Sequence, residues 1–250
     1  MTESAWGPPL DVLPALAREE QALLDVLGEL DAEQWAGPVP ELAAHILGSK
    51  LRRLSRDRDG HRVEPESPDE WVTACRVLSP EVLFTLLVDC SSQLVDLWKR
   101  RDPDELDAGS KLPVWLASAR EYTELWLLQQ RIRDAVGVPL LDTTEFLAPV
   151  VGTFMRTLPH ALSEAFAPKG KRVSYVVTGP AGGTWTAVRG VEGWALDHRP
   201  PPRSPYASVT TDPDTFWRLC AGILRPADAR PLLTTSGDEE LCAAMLGLGW

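Results

Sequence analysis

Apolar residues in the first two thirds of the chain recur at steps of three and four, the spacing of one face of an amphipathic helix. The short segment Gly37-Pro38-Val39-Pro40 separates the first two patterns of this kind. The predicted long helices lie at about residues 12–31, 42–54, 80–100, 114–136 and 142–162, with a short segment at 70–77. A helical region of this kind with little strand signal predicts a four-helix bundle followed by a connecting helix.

Capping residues mark several of these helix ends. Ser79 followed by Pro80 is a strong start signal, because the serine side chain caps the first turn and proline fits its first position. Asp142 and Glu145 have the three-residue spacing of a capping box. Gly137 predicts the end of the fourth long helix.

At Lys171 the hydrophobic period changes from 3.6 to 2, which is the period of a strand. Alternating apolar residues predict three strands that form a meander, at residues 173–177, 185–187 and 194–196. A helix that begins at Asp212, a strand near residues 232–235 and a helix over 238–246 complete the region. The glycine-rich turn at 179–183 joins two strands, so it is not the phosphate-binding loop that leads from a strand into a helix.

These patterns predict an α+β protein of two domains. The first is a helical bundle with its connecting helix over residues 1–165, and the second is a small α/β sandwich over residues 171–250. Trp185, Trp194 and Trp217 of the second domain are expected either to line an apolar pocket or to lie in its core.

The charge balance narrows the possible partners. The formal net charge is -11, from 36 acidic and 25 basic residues. A nucleic-acid or anionic membrane surface needs an excess of Lys and Arg, so neither partner is expected. The expected partner is a small-molecule substrate. The sequence has no run of about 18 apolar residues, the length that a membrane-spanning helix needs. Its N-terminus does not have the pattern of a signal peptide. A cytoplasmic protein, monomeric or dimeric, is the expectation.

The four cysteines are far apart in the sequence and none belongs to a C-x-x-C pair. This spacing does not favour a disulfide framework or a zinc knuckle. The cysteines are expected to be buried small hydrophobic residues. They are Cys75, Cys90, Cys220 and Cys242.

His45 and Glu124 stand out chemically in the predicted bundle. His45 lies between Leu42 and Ile46, so it is predicted to point inward, as a hydrogen-bonded core residue or as a metal ligand. Glu121 and Glu124 lie on one stripe of the fourth helix. An inward carboxylate needs a cation, a proton or a metal ion. The nearby cations of the same segment are Arg120, Arg131 and Arg133.

Three segments carry a resemblance to a known family: ELAAHILGSKLRRLSRDRDGH (41–61), VWLASAREYTELWLLQQRIRDAVG (114–137) and VSYVVTGPAGGTWTAV (173–188). They resemble the mycothiol-dependent maleylpyruvate isomerase family, in order and over nearly the whole chain. The segment from Arg120 to Glu124 is the most specific part. The resemblance implies a helical bundle of DinB type joined to a C-terminal domain similar to sterol carrier protein 2.

The resemblance also implies a divalent metal, usually zinc, held by two histidines and one glutamate. The first ligand falls on His45, the second on Glu124 and the third on Leu128, which has no lone pair to donate. Since catalytic zinc needs three protein ligands, the site is expected to be incomplete and to hold no metal tightly. Asp57 or His61, from the loop after the second helix, could replace the missing ligand, whereas Gln129 lies about 100° around the helix from Leu128.

Two functions follow as hypotheses. The first is a divergent isomerase or thiol S-transferase that acts on a small electrophilic metabolite, with mycothiol as a possible cosubstrate. Its candidate catalytic residues are Glu124, His45 and Glu121, and its candidate cofactor-binding residues are Arg120 and Arg131. The second is a non-catalytic small-molecule-binding or regulatory protein that kept the fold and lost the metal site.

Overall fold

The computed structural model of the protein describes residues 6–61 and 68–249, and their packing divides them into two units. The helical unit is Asp11–Leu141, and the α/β unit consists of residues 6–10 and 142–249. The division falls upstream of the boundary expected near residue 171, so the segment predicted as the connecting helix belongs to the unit that contains the sheet.

The helical unit contains six α-helices among its described residues, together with one π-helical turn, Leu54–Arg58, that continues the third of them. The helices are α1 Leu13–Gly28, α2 Ala32–Trp35, α3 Val39–Arg53, α4 Pro68–Cys75, α5 Pro80–Lys99 and α6 Val114–Val136. Helix α1 packs on α5 and α6, and α3 packs on α4, α5 and α6. Trp98, Tyr122 and Trp126 are the largest fully buried side chains of this unit.

Two of the predicted helix ends are confirmed. The side chain of Ser79 accepts a hydrogen bond from the backbone N–H of Val82 at 3.4 Å, and Pro80 is the first residue of α5. Gly137 ends α6 with φ of 72°, a left-handed conformation that suits a residue without a Cβ atom.

The α/β unit combines short helices with strands. Its helices are α7 Thr144–Phe154, α8 Leu158–Ala161, α9 Pro213–Cys220, α10 Pro226–Ala229 and α11 Glu239–Ala244, with 3₁₀ turns at Met155–Thr157 and Arg230–Leu232. Its strands are β1 Arg172–Val177, β2 Gly183–Arg189, β3 Trp194–Leu196, β4 Ala207–Thr211 and β5 Thr234–Gly237.

In the part of the chain that the structure describes, five strands form one mixed sheet in the order β3-β2-β1-β4-β5. The predicted meander is confirmed, because β1 pairs antiparallel with β2 and β2 pairs antiparallel with β3. Strand β4, which the sequence pattern did not predict, pairs parallel with β1 and antiparallel with β5. The chain is therefore α+β.

Helix α7 contributes to the core of the α/β unit. The ring of Phe216 in α9 lies 6.3 Å from that of Phe154 in α7 and 5.6 Å from that of Tyr175 in β1. The predicted capping box at Asp142 is wrong: the N-cap residue is Thr143, and its side chain makes no capping hydrogen bond.

Two further findings concern the described residues. No helix within 6–61 and 68–249 combines the length and the apolar character that a membrane crossing requires. All four cysteines are free thiols, and all are buried, as the sequence predicted.

Candidate functional site

A polar cleft of about 230 Å³ lies within the helical unit, between α3 with its π-helical turn, α6 and the loop before α6. We call it the arginine–carboxylate cleft. Three of the predicted site residues, Arg120, Glu121 and Glu124, line it. Its full lining is Arg52, Arg53, Arg56, Asp107, Gly109, Ser110, Ala117, Arg120, Glu121 and Glu124.

His45 does not point inward, and that prediction is wrong. Its side chain is exposed on a stripe of α3 that continues through Ser49 to Arg52 at steps of four and three. The neighbouring residues Leu42 and Ile46 are buried. Residues next to one another in a helix lie about 100° apart, so a histidine beside buried residues need not share their face.

His45 and Arg131 lie outside the arginine–carboxylate cleft. Partial loss of hydration lowers the pKa of His45, and the charge of Arg131 lowers it further against the opposing charge of Asp69. Arg131 is exposed. The cleft carboxylate Glu121 stands ten residues before Arg131 on α6, about 15 Å along the helix. The charged residues that act on His45 are therefore different from those that act on the cleft carboxylate Glu124.

Glu121 is paired across the unit with Arg53 of α3. Arg53 Nε donates to Glu121 Oε2 at 2.8 Å, and Arg53 Nη1 donates to Asp57 at 2.9 Å and to Asp107 at 3.1 Å. The guanidinium also lies 4.8 Å from the ring centroid of Trp98. Burial alone would lower the pKa of Arg53, but Glu121 and the two aspartates hold it well above its usual value. Arg53 is therefore a fixed cation in the cleft wall.

Asp107 anchors the loop before α6. Its side chain is fully buried and accepts hydrogen bonds from Ser110 N at 2.9 Å, Ser110 Oγ at 2.8 Å and Arg101 Nη1 at 2.8 Å. Burial would raise the pKa of Asp107, but these donors and the charge of Arg53 hold it well below its usual value. The carboxylate is ionised and its hydrogen bonds order the cleft wall.

Arg52 lines the cleft and carries a donor that the described residues do not satisfy. Its Nε atom is buried and has no hydrogen-bond partner among the described residues, and its side chain lines the cleft near Glu124. An unsatisfied buried donor costs about 1–3 kcal/mol. An acceptor on a bound anion would remove that cost.

Glu124 lies in the same cleft and keeps contact with solvent. Loss of hydration inside the cleft raises its pKa, and the nearby charge of Glu121 raises it further. Arg120, Arg53 and Arg52 act in the opposite direction. Because the side chain remains accessible, hydration limits the size of the shift. Glu124 is thus an exposed carboxyl group with a raised pKa, beside arginines that can hold an anion.

The residues present do not fit a zinc site of the resembled kind. Within residues 6–61 and 68–249, no group of three or more His, Cys, Asp or Glu side chains could hold a metal ion. Leu128, which has no lone pair to donate, lies where the resemblance implies the third metal ligand. Gln129 donates to Glu19 O at 3.1 Å and accepts from Arg133 Nε at 3.0 Å, so its side chain is already engaged.

Asp57 and His61, the two possible substitute ligands, differ in their local structure. Asp57 lies in the π-helical turn, where it accepts hydrogen bonds from Arg53 and, at 2.6 Å, from Arg56 Nε. These donors outweigh burial and keep the pKa of Asp57 below its usual value. His61 is exposed, and its backbone N–H donates to Ser55 O at 2.9 Å.

Comparison with known proteins gives a fold. No protein-family model matches the sequence, and no curated protein matches it. The chain is similar in structure to a mycothiol-dependent maleylpyruvate isomerase, with a TM-score of 0.51, 17% identity, and coverage of 92% of this chain and 93% of that chain. A crystal structure of a mutant of such an isomerase gives a TM-score of 0.52, 15% identity and the same coverage. At this identity the likeness shows a shared α+β fold.

Proposed function

We propose that this chain is a divergent relative of the mycothiol-dependent isomerases, acting on a small electrophilic metabolite that carries a carboxylate. The proposed site is the arginine–carboxylate cleft, and the chemistry does not depend on tightly bound zinc. In this proposal the helical unit is of DinB type and the α/β unit is of the sterol carrier protein 2 type. One observation carries the proposal: Glu124, with its raised pKa, and Arg52, with its unsatisfied Nε donor, share one cleft.

The cleft residues divide into two roles. Arg52 and Arg120 bind the substrate carboxylate, since a guanidinium presents donors in the geometry that a carboxylate accepts. Glu121 is already bound to Arg53 and positions the wall. Glu124 is the general acid and base, because its environment favours proton uptake closer to neutral pH than an ordinary glutamate would allow. His45 and Arg131, which lie outside the cleft, have no role in this site.

A thiol cosubstrate such as mycothiol supplies the nucleophile for a conjugated double bond. Glu124 takes the thiol proton as the sulfur–carbon bond forms and delivers it to the adjacent carbon. Rotation about the resulting single bond and reversal of both steps release the thiol and the geometric isomer. The protein contributes the carboxylate anchor and the proton carrier.

The test is turnover of maleylpyruvate, the substrate named for the structural neighbours, by purified protein with mycothiol and excess EDTA. Cis-to-trans conversion is followed by proton NMR, and the zinc content is measured in parallel. We expect turnover without stoichiometric zinc. Glu124→Gln should lower kcat by about 100-fold or more, whereas Glu29→Gln, an exposed glutamate at the end of α1, should leave it unchanged.

The other outcomes are equally informative. Turnover that EDTA abolishes would contradict a zinc-independent site. Saturable binding of maleylpyruvate that Arg120→Gln weakens, without turnover under any condition, would support the alternative of a non-catalytic small-molecule-binding protein. Equal kcat for Glu124→Gln and the wild type would remove Glu124 from the mechanism.

A further inference from the structure

A second cleft, of about 580 Å³, lies entirely within the α/β unit. It opens at the edge of β2, where residues 184–186 extend past the end of the short strand β3. We call it the β2-edge cleft. Its volume falls within the range of small-molecule sites.

The apolar wall of this cleft is built around Trp185. The indole is half-buried and folds back over Gly183, where any Cβ atom would lie 3.0 Å from Trp185 Cη2. Leu10 and Leu196 also line the cleft. Trp194 and Trp217, by contrast, are buried and their indole N–H groups donate to Ala165 O and to Asp214. Of the three tryptophans that the sequence allows either in a pocket or in the core, Trp185 lines the β2-edge cleft.

The charged side of the cleft is cationic. Arg156 is buried and lines the cleft, and its Nη2 donates to Pro8 O at 2.8 Å. Burial lowers the pKa of Arg156, so a bound anion would stabilise its charged form. The only carboxylate among the lining residues, Asp197, is held by Arg172 and by Arg199 Nε, the latter at 2.8 Å. These bonds keep the pKa of Asp197 at about 2. The two arginine charges compensate the negative charge of Asp197, so this residue does not oppose the binding of an anionic ligand.

The backbone of β2 adds a donor at the same place. Asp197 N donates to Thr186 O, so the N–H and C=O groups of Thr186 point towards the β3 side of the strand. Backbone N–H and C=O groups of successive residues point alternately to the two edges of a strand, so the N–H of Thr184 points to the same side as that of Thr186. Strand β3 pairs only with Ala187–Arg189, so it does not cover Thr184.

We infer that the β2-edge cleft binds a small carboxylate with a planar or short apolar body, such as an aromatic acid. Arg156 and the N–H of Thr184 receive the carboxylate, and the indole of Trp185 packs against the apolar body. This site lies in a different unit from the arginine–carboxylate cleft, and its occupancy does not depend on the proposed function.

The test uses two probes of nearly equal shape, benzoate and neutral benzamide, titrated into ¹⁵N-labelled full-length protein. We expect benzoate to shift the indole N–H of Trp185 and the backbone amides of Thr184 and Thr186. Benzamide should bind at least about tenfold more weakly, because it lacks the charge-assisted hydrogen bonds. Arg156→Met should weaken benzoate by a similar factor, whereas Arg225→Gln, an exposed arginine paired with Asp228, should not.

Two results would overturn the inference. One is benzoate binding that leaves the signals of Trp185 and Thr184 unmoved, or no benzoate binding at all at millimolar concentrations. The other is equal affinity for benzoate and benzamide. Because Arg156 is buried and its substitution can unfold the unit, the comparison of the two probes on the wild-type protein decides the question without that variant.

Discussion

At the scale of single residues, Glu19 is the least expected feature of the helical unit. It is fully buried in α1, and neither of its carboxylate oxygens has a hydrogen-bond partner among the described residues. Burial raises the pKa of Glu19 well above its usual value, and the adjacent charge of Glu20 raises it further. Glu20 is itself paired with Lys50 and accepts from Ser91 Oγ at 2.7 Å. Burial therefore disfavours the ionised form of Glu19 inside the unit.

Replacing Glu19 with leucine should stabilise the protein at alkaline pH by about 1–3 kcal/mol, since it removes an unsatisfied buried acid. A raised folded-state pKa means that the unfolded chain ionises first. The contribution of Glu19 to stability is thus most favourable below the unfolded pKa of about 4.3 and is lost as the pH rises through the folded value. Urea unfolding of both proteins across pH measures the difference.

The gain from Glu19→Leu should shrink as the pH falls towards 5, because the wild-type acid is then protonated in both states for a growing fraction of molecules. Glu29→Leu, at the exposed C-cap position of the same helix, controls for added apolar surface. A loss of stability in Glu19→Leu at alkaline pH would show that the carboxylate is needed in its ionised form.

At the scale of elements, the loop before α6 and the π-helical turn after α3 are joined through Asp107. Asp107→Asn removes the charge that Arg53 and Arg101 share and should destabilise the protein by about 2–4 kcal/mol at neutral pH. Because the folded pKa of Asp107 is depressed, its contribution is complete above the unfolded pKa of about 3.9 and is lost as the pH falls below it.

Chemical denaturation at neutral pH and in acid checks this dependence, with Asp104→Asn as the control at an exposed position of the same loop. The difference between Asp107→Asn and the wild type should disappear in strong acid. A difference that is independent of pH would assign the loss to packing instead of charge.

Local signals predicted some elements closely and missed others. Helix α6 runs from Val114 to Val136 as expected, because Gly137 stops it locally. Strand β4 was missed because its buried positions include the small residues Ala207 and Thr211, which carry little hydrophobic signal. Its place is set by pairing with β1, a contact between distant parts of the chain.

At the scale of the whole molecule, the sequence predicted candidate residues on α6 but not the cleft that Arg120, Glu121 and Glu124 line. Arg53 reaches Asp107 over 54 residues and Glu121 over 68, and no periodicity in the sequence reports contacts at that distance. His45 was misplaced because its neighbours are apolar while its own face is not. In a chain of net charge -11, the arginines of the cleft are a local reversal of charge, which favours an anionic ligand there.

The measurement that tests this account most directly is the titration of the Glu124 side chain, followed by ¹³C NMR of its carboxyl carbon in the free protein. We predict a midpoint above the ordinary glutamate value of about 4.3, because of lost hydration and the charge of Glu121. Glu121→Gln should lower the midpoint and Arg120→Gln should raise it, with Glu29 in the same spectra as the exposed reference. A wild-type midpoint at or below that of Glu29, unmoved by either substitution, would contradict the claim that the cleft tunes Glu124 for proton transfer.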